Sequence, residues 1–175
     1  MHDKAYFDNY YPLPYHHPYW YGFFDGIAKY IFDFYGPQYV MDIGCAFGYL
    51  VGQLRARGIE AWGIDTSEYA LSRAAGIVRP FLSLASGVDP LPRRYDLITC
   101  IEVAEHMPPE DALAMVENIC AHADSILFSS TPDDTEPEVH INVQPADYWT
   151  AAFAKHGMKP VRSAGFLALH ALWFE

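Results

Sequence analysis

Residues 40–50 read Val40-Met41-Asp42-Ile43-Gly44-Cys45-Ala46-Phe47-Gly48-Tyr49-Leu50. An apolar run, a turn of small residues and a second apolar run predict a buried strand, a tight bend and a helix. That unit opens the ligand crevice of a doubly wound α/β sheet. Gly44 and Gly48 permit the bend and a close approach of backbone to ligand. Asp42 stands just before the bend. Further on, in Gly63-Ile64-Asp65-Thr66-Ser67-Glu68, Asp65 closes the next apolar strand. A carboxylate there can accept both hydroxyls of a ribose.

Outward from this unit, strand and helix patterns alternate. Strands are expected at Gln38–Ile43, Glu60–Ile64, Arg79–Leu84, Tyr95–Ile101, Ser125–Ser130, Met158–Arg162 and Phe166–Phe174. Helices are expected at Phe47–Arg57, Ser67–Ala74, Pro109–His122 and Pro145–His156. Such alternation predicts a Rossmann-like, doubly wound, seven-stranded sheet with helices on both faces. It should be mostly parallel. The last two strands are joined by too few residues for a crossover, so the C-terminal strand should run antiparallel.

Fifteen of the 28 aromatic residues fall in the first 40 positions. Pro12, Pro14 and Pro18 break the early part, so residues 1–17 should form an irregular arm. Trp20, Phe23, Phe24, Ile27, Ile31 and Phe34 then repeat at helical spacing from Pro18 to Tyr35, where Gly36-Pro37 ends the helix. The tyrosine-rich arm reads equally as a lid over a pocket or as a packing strap.

The chain has 175 residues, 51% of them hydrophobic. One domain over residues 1–175 is expected, with the aromatic arm and helix in 1–36 and a cofactor-binding core in 37–175. A net charge of −11, from 22 acids against 11 bases, disfavours a nucleic-acid partner, whose phosphates require a Lys/Arg footprint. Cys45, Cys100 and Cys120 are too few and too scattered for a disulfide framework, which fits a reducing, cytoplasmic setting. The N-terminus has no signal-peptide core, and no run approaches the ~18 apolar residues of a membrane span. A soluble protein without a membrane partner is expected, its oligomeric state unspecified.

The ligand's charge follows from Asp42. A dinucleotide site would present G-x-G-x-x-G and a helix N-terminus to a pyrophosphate. Here only Gly44 and Gly48 are present, and the acid before them repels a diphosphate while favouring a ligand with an ammonium and a sulfonium. In these residues the sequence resembles the class I S-adenosylmethionine-dependent methyltransferases, from about Val40 to Glu175. Their D-x-G-x-G-x-G motif matches Asp42, Gly44 and Gly48, with Ala46 in place of the middle glycine. The resemblance implies that the turn Gly44-Cys45-Ala46 holds the methionine end of S-adenosylmethionine and Asp65 its ribose. Thr66 and Ser67 would lie near the adenosine. The family's acid after the third strand has no clear counterpart, because Asp89 is displaced; Leu84, Ala85 or Ser86 would touch the adenine instead. Cys45 is assigned no nucleophilic role.

The acceptor end is expected after the fourth strand, in Ile101-Glu102-Val103-Ala104-Glu105-His106-Met107. Glu102, Glu105 and His106 are spaced i, i+3 and i+4, so one helical turn would group them. His140 follows the fifth strand and joins the same set. Two carboxylates and imidazoles suit a general base or a divalent cation. The E-x-x-E-H string is similar to that of ubiquinone-pathway O-methyltransferases and, with a later histidine, of small-RNA 3′-terminal ribose methyltransferases. Both likenesses imply a metal held by Glu102, Glu105, His106 and His140 at a vicinal diol. A metal-free pocket, with His106 or His140 as base and Glu102 contributing to both catalysis and the cofactor pocket, is the competing reading, and a structural role is the third. His16, His17 and the acids Asp133, Asp134, Glu136 and Glu138 are more simply solvated groups, and Tyr148 and Trp149 helix anchors.

The expected function is methyl transfer from S-adenosylmethionine to a small molecule, with a hydroxyl on a sugar or natural-product scaffold as acceptor. The alternatives are a cofactor-binding module inactive without a partner, a metal-dependent enzyme acting on a catechol or RNA 3′ end, and a nicotinamide-linked oxidoreductase.

Overall fold

The computed structural model describes residues 4–10, 17–132, 138–163 and 171–175. They gather into two compact units, residues 1–86 and 87–175.

In the first unit, α1 (Lys4–Tyr10) and α2 (Pro18–Phe34) precede β1 (Tyr39–Ile43), α3 (Tyr49–Ala56), β2 (Glu60–Asp65), α4 (Glu68–Arg73) and β3 (Leu82–Leu84). The three strands are parallel, with Asp42 opposite Gly63 and Asp65 opposite Leu84. α2 buries Ile27, Ala28 and Ile31 and packs on α3, where Phe24 stacks on Tyr49 at 5.3 Å. His17 caps α2: its Nδ1 accepts from the Tyr19 amide at 3.3 Å.

α1 corrects the expectation of an irregular arm. Its residues are helical because Phe7, almost fully buried, docks on Phe47 and Tyr69, and Asp8 accepts a hydrogen bond from the Tyr69 hydroxyl at 3.0 Å. Tertiary packing supplies what seven residues lack on their own. α3 starts at Tyr49 rather than Phe47, because Gly48 takes a left-handed φ of 72° at its N-cap. Ahead of β3, Arg79–Phe81 forms a 3-10 turn around Pro80 in place of the first half of the expected strand.

The second unit holds β4 (Tyr95–Ile101), α5 (Pro109–His122), β5 (Ala123–Ser129), α6 (Ala146–Ala154), β6 (Pro160–Ser163) and β7 (Leu172–Phe174). β4 and β5 are parallel, and β7 runs antiparallel to both β5 and β6. α5 turns Ala112, Met115, Val116 and Ile119 inward, the i, i+3, i+4, i+7 stripe of a sheet-covering helix. Phe128, Trp149, Phe153 and Phe174 form the aromatic centre of this unit, the last two stacked at 4.2 Å.

The strands make a seven-stranded sheet in the order β3-β2-β1-β4-β5-β7-β6. It is the expected Rossmann-like arrangement, mostly parallel, with β7 antiparallel to its neighbours. No helix among the described residues is long and apolar enough to cross a membrane. Residues 11–16 of the arm, His16 among them, the acids Asp133, Asp134 and Glu136, and positions 166–170 of the expected last strand lie outside the described residues.

Candidate functional site

The glycine turn is built by β1 and β2. The Gly44 and Cys45 amides both donate to the Ile64 carbonyl, at 2.9 and 3.0 Å, and Gly48 donates to the Cys45 carbonyl at 2.7 Å. Ala46 sits at φ 45°, in the left-handed region. Alanine is small enough for the space, yet its Cβ makes this conformation costly, and Asp65 offsets the cost. The Ala46 N–H donates to Asp65 Oδ2 at 2.8 Å, while the Ser67 N–H donates to Asp65 Oδ1 at 2.7 Å.

Asp65 therefore ties the turn to the start of α4, where Ser67 Oγ accepts from the Ala70 amide. Each carboxylate oxygen retains a further lone pair for a ligand hydroxyl. Burial raises the Asp65 pKa, opposed by the amides of Ser67, Ala46 and Thr66. Asp42 is buried nearby. Burial first, then the charges of Asp42 and Asp65, push the Cys45 thiol well above its ordinary range, so Cys45 stays a neutral packing group. α3 has no side-chain cap hydrogen bond at Gly48. Two carboxylates around one bend suit a cationic nucleoside and oppose a pyrophosphate.

At the edge of this turn, Leu84 is exposed at the end of β3, and the Ala85 amide donates to the Asp65 carbonyl at 3.1 Å. Thr66 is exposed beside Asp65.

In the second unit, the expected helical turn over Glu102–His106 is replaced by other geometry. β4 ends at Ile101, Glu102 adopts φ 53°, and Ala104–His106 forms a 3-10 turn. The Glu102 amide donates to the Ser129 carbonyl at 3.1 Å and lies 3.2 Å from Ser129 Oγ, which holds the strained residue in place. Glu105 is fully buried, with the Thr131 amide 3.4 Å from its Oε1. Burial, then the charge of Glu102 and a hydrogen bond with it, push the Glu105 pKa up to about 8. Near neutral pH its carboxyl is largely protonated.

The His106 and His140 rings stand 4.8 Å apart. His106 Nδ1 lies 3.1 Å from the Val139 carbonyl oxygen. A carbonyl only accepts, so Nδ1 carries a proton, and in the neutral ring Nε2 is then the nitrogen with the lone pair. Donor atoms of Glu105, His106 and His140 lie within 4.8 Å of one another. Glu102 stands outside that group, although it approaches Glu105. Glu102 Oε1, Glu105 Oε2 and His140 Nδ1 are buried without a hydrogen-bond partner among the described residues. Glu138 is exposed beside this loop.

Three groups escaped the sequence reading: the Val139 carbonyl, the Thr131 amide and the side chain of Asn142, which is buried. Backbone groups leave no trace in a sequence. Asn142 lies in Ile141-Asn142-Val143-Gln144, a context that reads as an ordinary loop.

The strand order and the acid-flanked glycine turn define a class I S-adenosylmethionine-dependent methyltransferase fold. Residues 15–168 match the family model described as a methyltransferase domain, and the chain belongs to that family. It is 30% identical over 99 residues to the ubiquinone biosynthesis O-methyltransferase of Methylococcus capsulatus, covering 51% of this chain and 42% of that one. With the enzyme of the same name from Nitrosomonas europaea the identity is 32% over 105 residues, covering 52% and 43%. The chain thus spans less than half the length of these relatives. Among solved structures, magnesium protoporphyrin IX methyltransferase from Synechocystis PCC 6803 with bound SAH superposes with a TM-score of 0.72 at 19% identity, covering 88% of this chain and 81% of that one. DesVI from Streptomyces venezuelae gives a TM-score of 0.71 at 14% identity, covering 89% and 90%. These two likenesses concern the fold.

Proposed function

We propose that this chain transfers a methyl group from S-adenosylmethionine to a hydroxyl oxygen of a small-molecule acceptor such as a sugar or natural-product scaffold. The observation that carries the reading is the His106–Val139 hydrogen bond, which leaves Nε2 of His106 able to take a proton. When bound, S-adenosylmethionine supplies the methyl as an electrophile. Asp65 and the amides of the Gly44–Gly48 turn hold the nucleoside, Asp42 favours its positive charge, and Thr66, Ser67 and Ala85 flank the adenosine. His106 Nε2 accepts the acceptor's hydroxyl proton. His140 orients that hydroxyl, and the protonated Glu105 adds no competing negative charge beside the base. The O-methyltransferase names of the curated relatives support oxygen as the acceptor atom.

The test is S-adenosylhomocysteine formation across a panel of hydroxylated acceptors. His106→Ala should lower turnover by about 10²–10⁴-fold, the usual contribution of a general base. Full turnover with His106 and His140 both replaced by alanine would sink the assignment.

A second reading is favoured by the grouping of Glu105, His106 and His140, a two-histidine, one-carboxylate donor set that fits a divalent cation. These three residues, rather than four with Glu102, would hold it, and it would polarise the acceptor hydroxyl. Binding requires Glu105 to ionise. Titration calorimetry with Mg²⁺, Mn²⁺ and Zn²⁺ on the wild type and Glu105→Gln separates this reading from the metal-free one.

A further inference from the structure

Resting on the His106 base just proposed, we infer that Asn142 is a positioning residue, a clamp that sets the tautomer and placement of the histidine pair. His140 lies in a loop between β5 and α6, with no regular element to hold it. Two attachments flank it. On one side the Val139 carbonyl accepts from His106 Nδ1 at 3.1 Å. On the other, Asn142 grips the 3-10 turn twice: its backbone amide donates to the Glu105 carbonyl at 3.0 Å, and its side-chain Nδ2 donates to the Ala104 carbonyl at 3.1 Å. Gln144 Nε2 donates to Asn142 Oδ1 at 3.1 Å, which fixes the amide's orientation with Nδ2 toward Ala104.

The chemistry of the amide decides the role. The Ala104 carbonyl requires a donor, and Gln144 requires an acceptor. An asparagine supplies both from one short side chain. An aspartate would oppose the carbonyl, and an alanine would leave it only the Met107 amide at 3.3 Å, with no tie to the loop. Without the side-chain grip, the Asn142 amide and the His106 contact remain to hold residues 138–142 to the turn. The Val139 oxygen then drifts from Nδ1, and His106 loses the bond that keeps its proton there. Asn142 touches no reacting atom; it acts through the carbonyl that selects the tautomer.

The readout is the protonation of each ring nitrogen, recorded by two-bond proton–nitrogen correlation spectra of nitrogen-15 histidine-labelled protein at a pH where the imidazoles are neutral. In the wild type, His106 should show a protonated Nδ1 and a bare Nε2. In Asn142→Ala, with amide dispersion retained, both tautomers of His106 should appear, moving each ring-nitrogen resonance by tens of ppm toward the averaged position. Asn142→Ser, which keeps a donor, should retain the single tautomer, and it decides the matter if the alanine variant fails to fold. An unchanged tautomer in Asn142→Ala, or mixed tautomers in the wild type or in Asn142→Ser, overturns the proposal. The spectra need neither methyl donor nor acceptor, so failure of the methyl-transfer reading leaves this result standing.

Discussion

The imidazoles of His106 and His140 lie 4.8 Å apart with their planes tilted by 59°, one on the 3-10 turn after β4 and the other in the loop before α6. The pair is asymmetric. His106 Nδ1 is engaged by a carbonyl, and His140 Nδ1 is buried without a hydrogen-bond partner among the described residues. His106→Ala should therefore cost more turnover than His140→Ala, and the double variant should be scarcely worse than His106→Ala alone, since groups acting as a unit are non-additive. Initial rates of S-adenosylhomocysteine formation check this; additive losses would show that the rings act separately.

Glu105 makes stability depend on pH. Its carboxyl is raised from 4.5 to about 8 in the folded chain by burial and by Glu102. The folded state then holds a proton that the unfolded state has released, and stability falls wherever that is so. The contribution is complete below about 4.5 and is lost as pH rises through about 8. Urea midpoints across this window should decline for the wild type, and Glu105→Gln should flatten that decline. A wild-type midpoint that rises over the same window contradicts the assignment.

Gly63 makes room for the turn on the neighbouring strand. A Cβ there would come within 2.6 Å of the Cys45 Cβ, 2.7 Å of its Sγ and 3.0 Å of Val51 Cγ2. Gly63→Ala should cost about 1–3 kcal/mol by overpacking and weaken S-adenosylhomocysteine binding by displacing the turn. Cys45→Gly removes two of the three collisions, so in the double variant the two changes should couple favourably by about 1 kcal/mol. Equilibrium unfolding of the four proteins measures the coupling, and strict additivity would refute the contact.

Phe7 is the buried anchor of helix α1. Phe7 is buried with Phe47, Tyr49 and Ala70. Phe7→Ala should remove about 3 kcal/mol of docking, more than seven residues can recover as an isolated helix. Hydrogen exchange should then show amides 4–10 unprotected while β1, α3 and β2 keep their protection. Uniform loss of protection would mean that α1 belongs to the global unfolding unit.

Glu102 is held at φ 53°. A left-handed non-glycine residue costs about 1–2 kcal/mol, partly offset in a glycine variant by the chain entropy of glycine, about 0.5–1 kcal/mol. Glu102→Gly also removes the charge facing Glu105. The melting temperature should rise by about 2–4 °C for a net gain near 1 kcal/mol. A lower melting temperature would show that the Glu102 side chain stabilises the fold.

Periodicity and punctuation along the chain determined its strands and long helices, because each depends on its own spacing of apolar residues. Pro109–His122 was legible from the stripe Ala112, Met115, Val116 and Ile119, and the glycine turn from Asp42, Gly44 and Gly48. These elements sufficed for the sheet class and the family. Tertiary structure alone decided that residues 4–10 are helical, since Phe7 needs a distant surface to bury against. It alone decided that Glu102 leaves the strand in a left-handed conformation, so that the i, i+3, i+4 face never forms, and that Asn142 and a backbone carbonyl set the state of His106. Local spacing encodes which face of an element is apolar. The protonation of a side chain depends on burial and on partners brought in from elsewhere in the chain, and no local pattern carries that information.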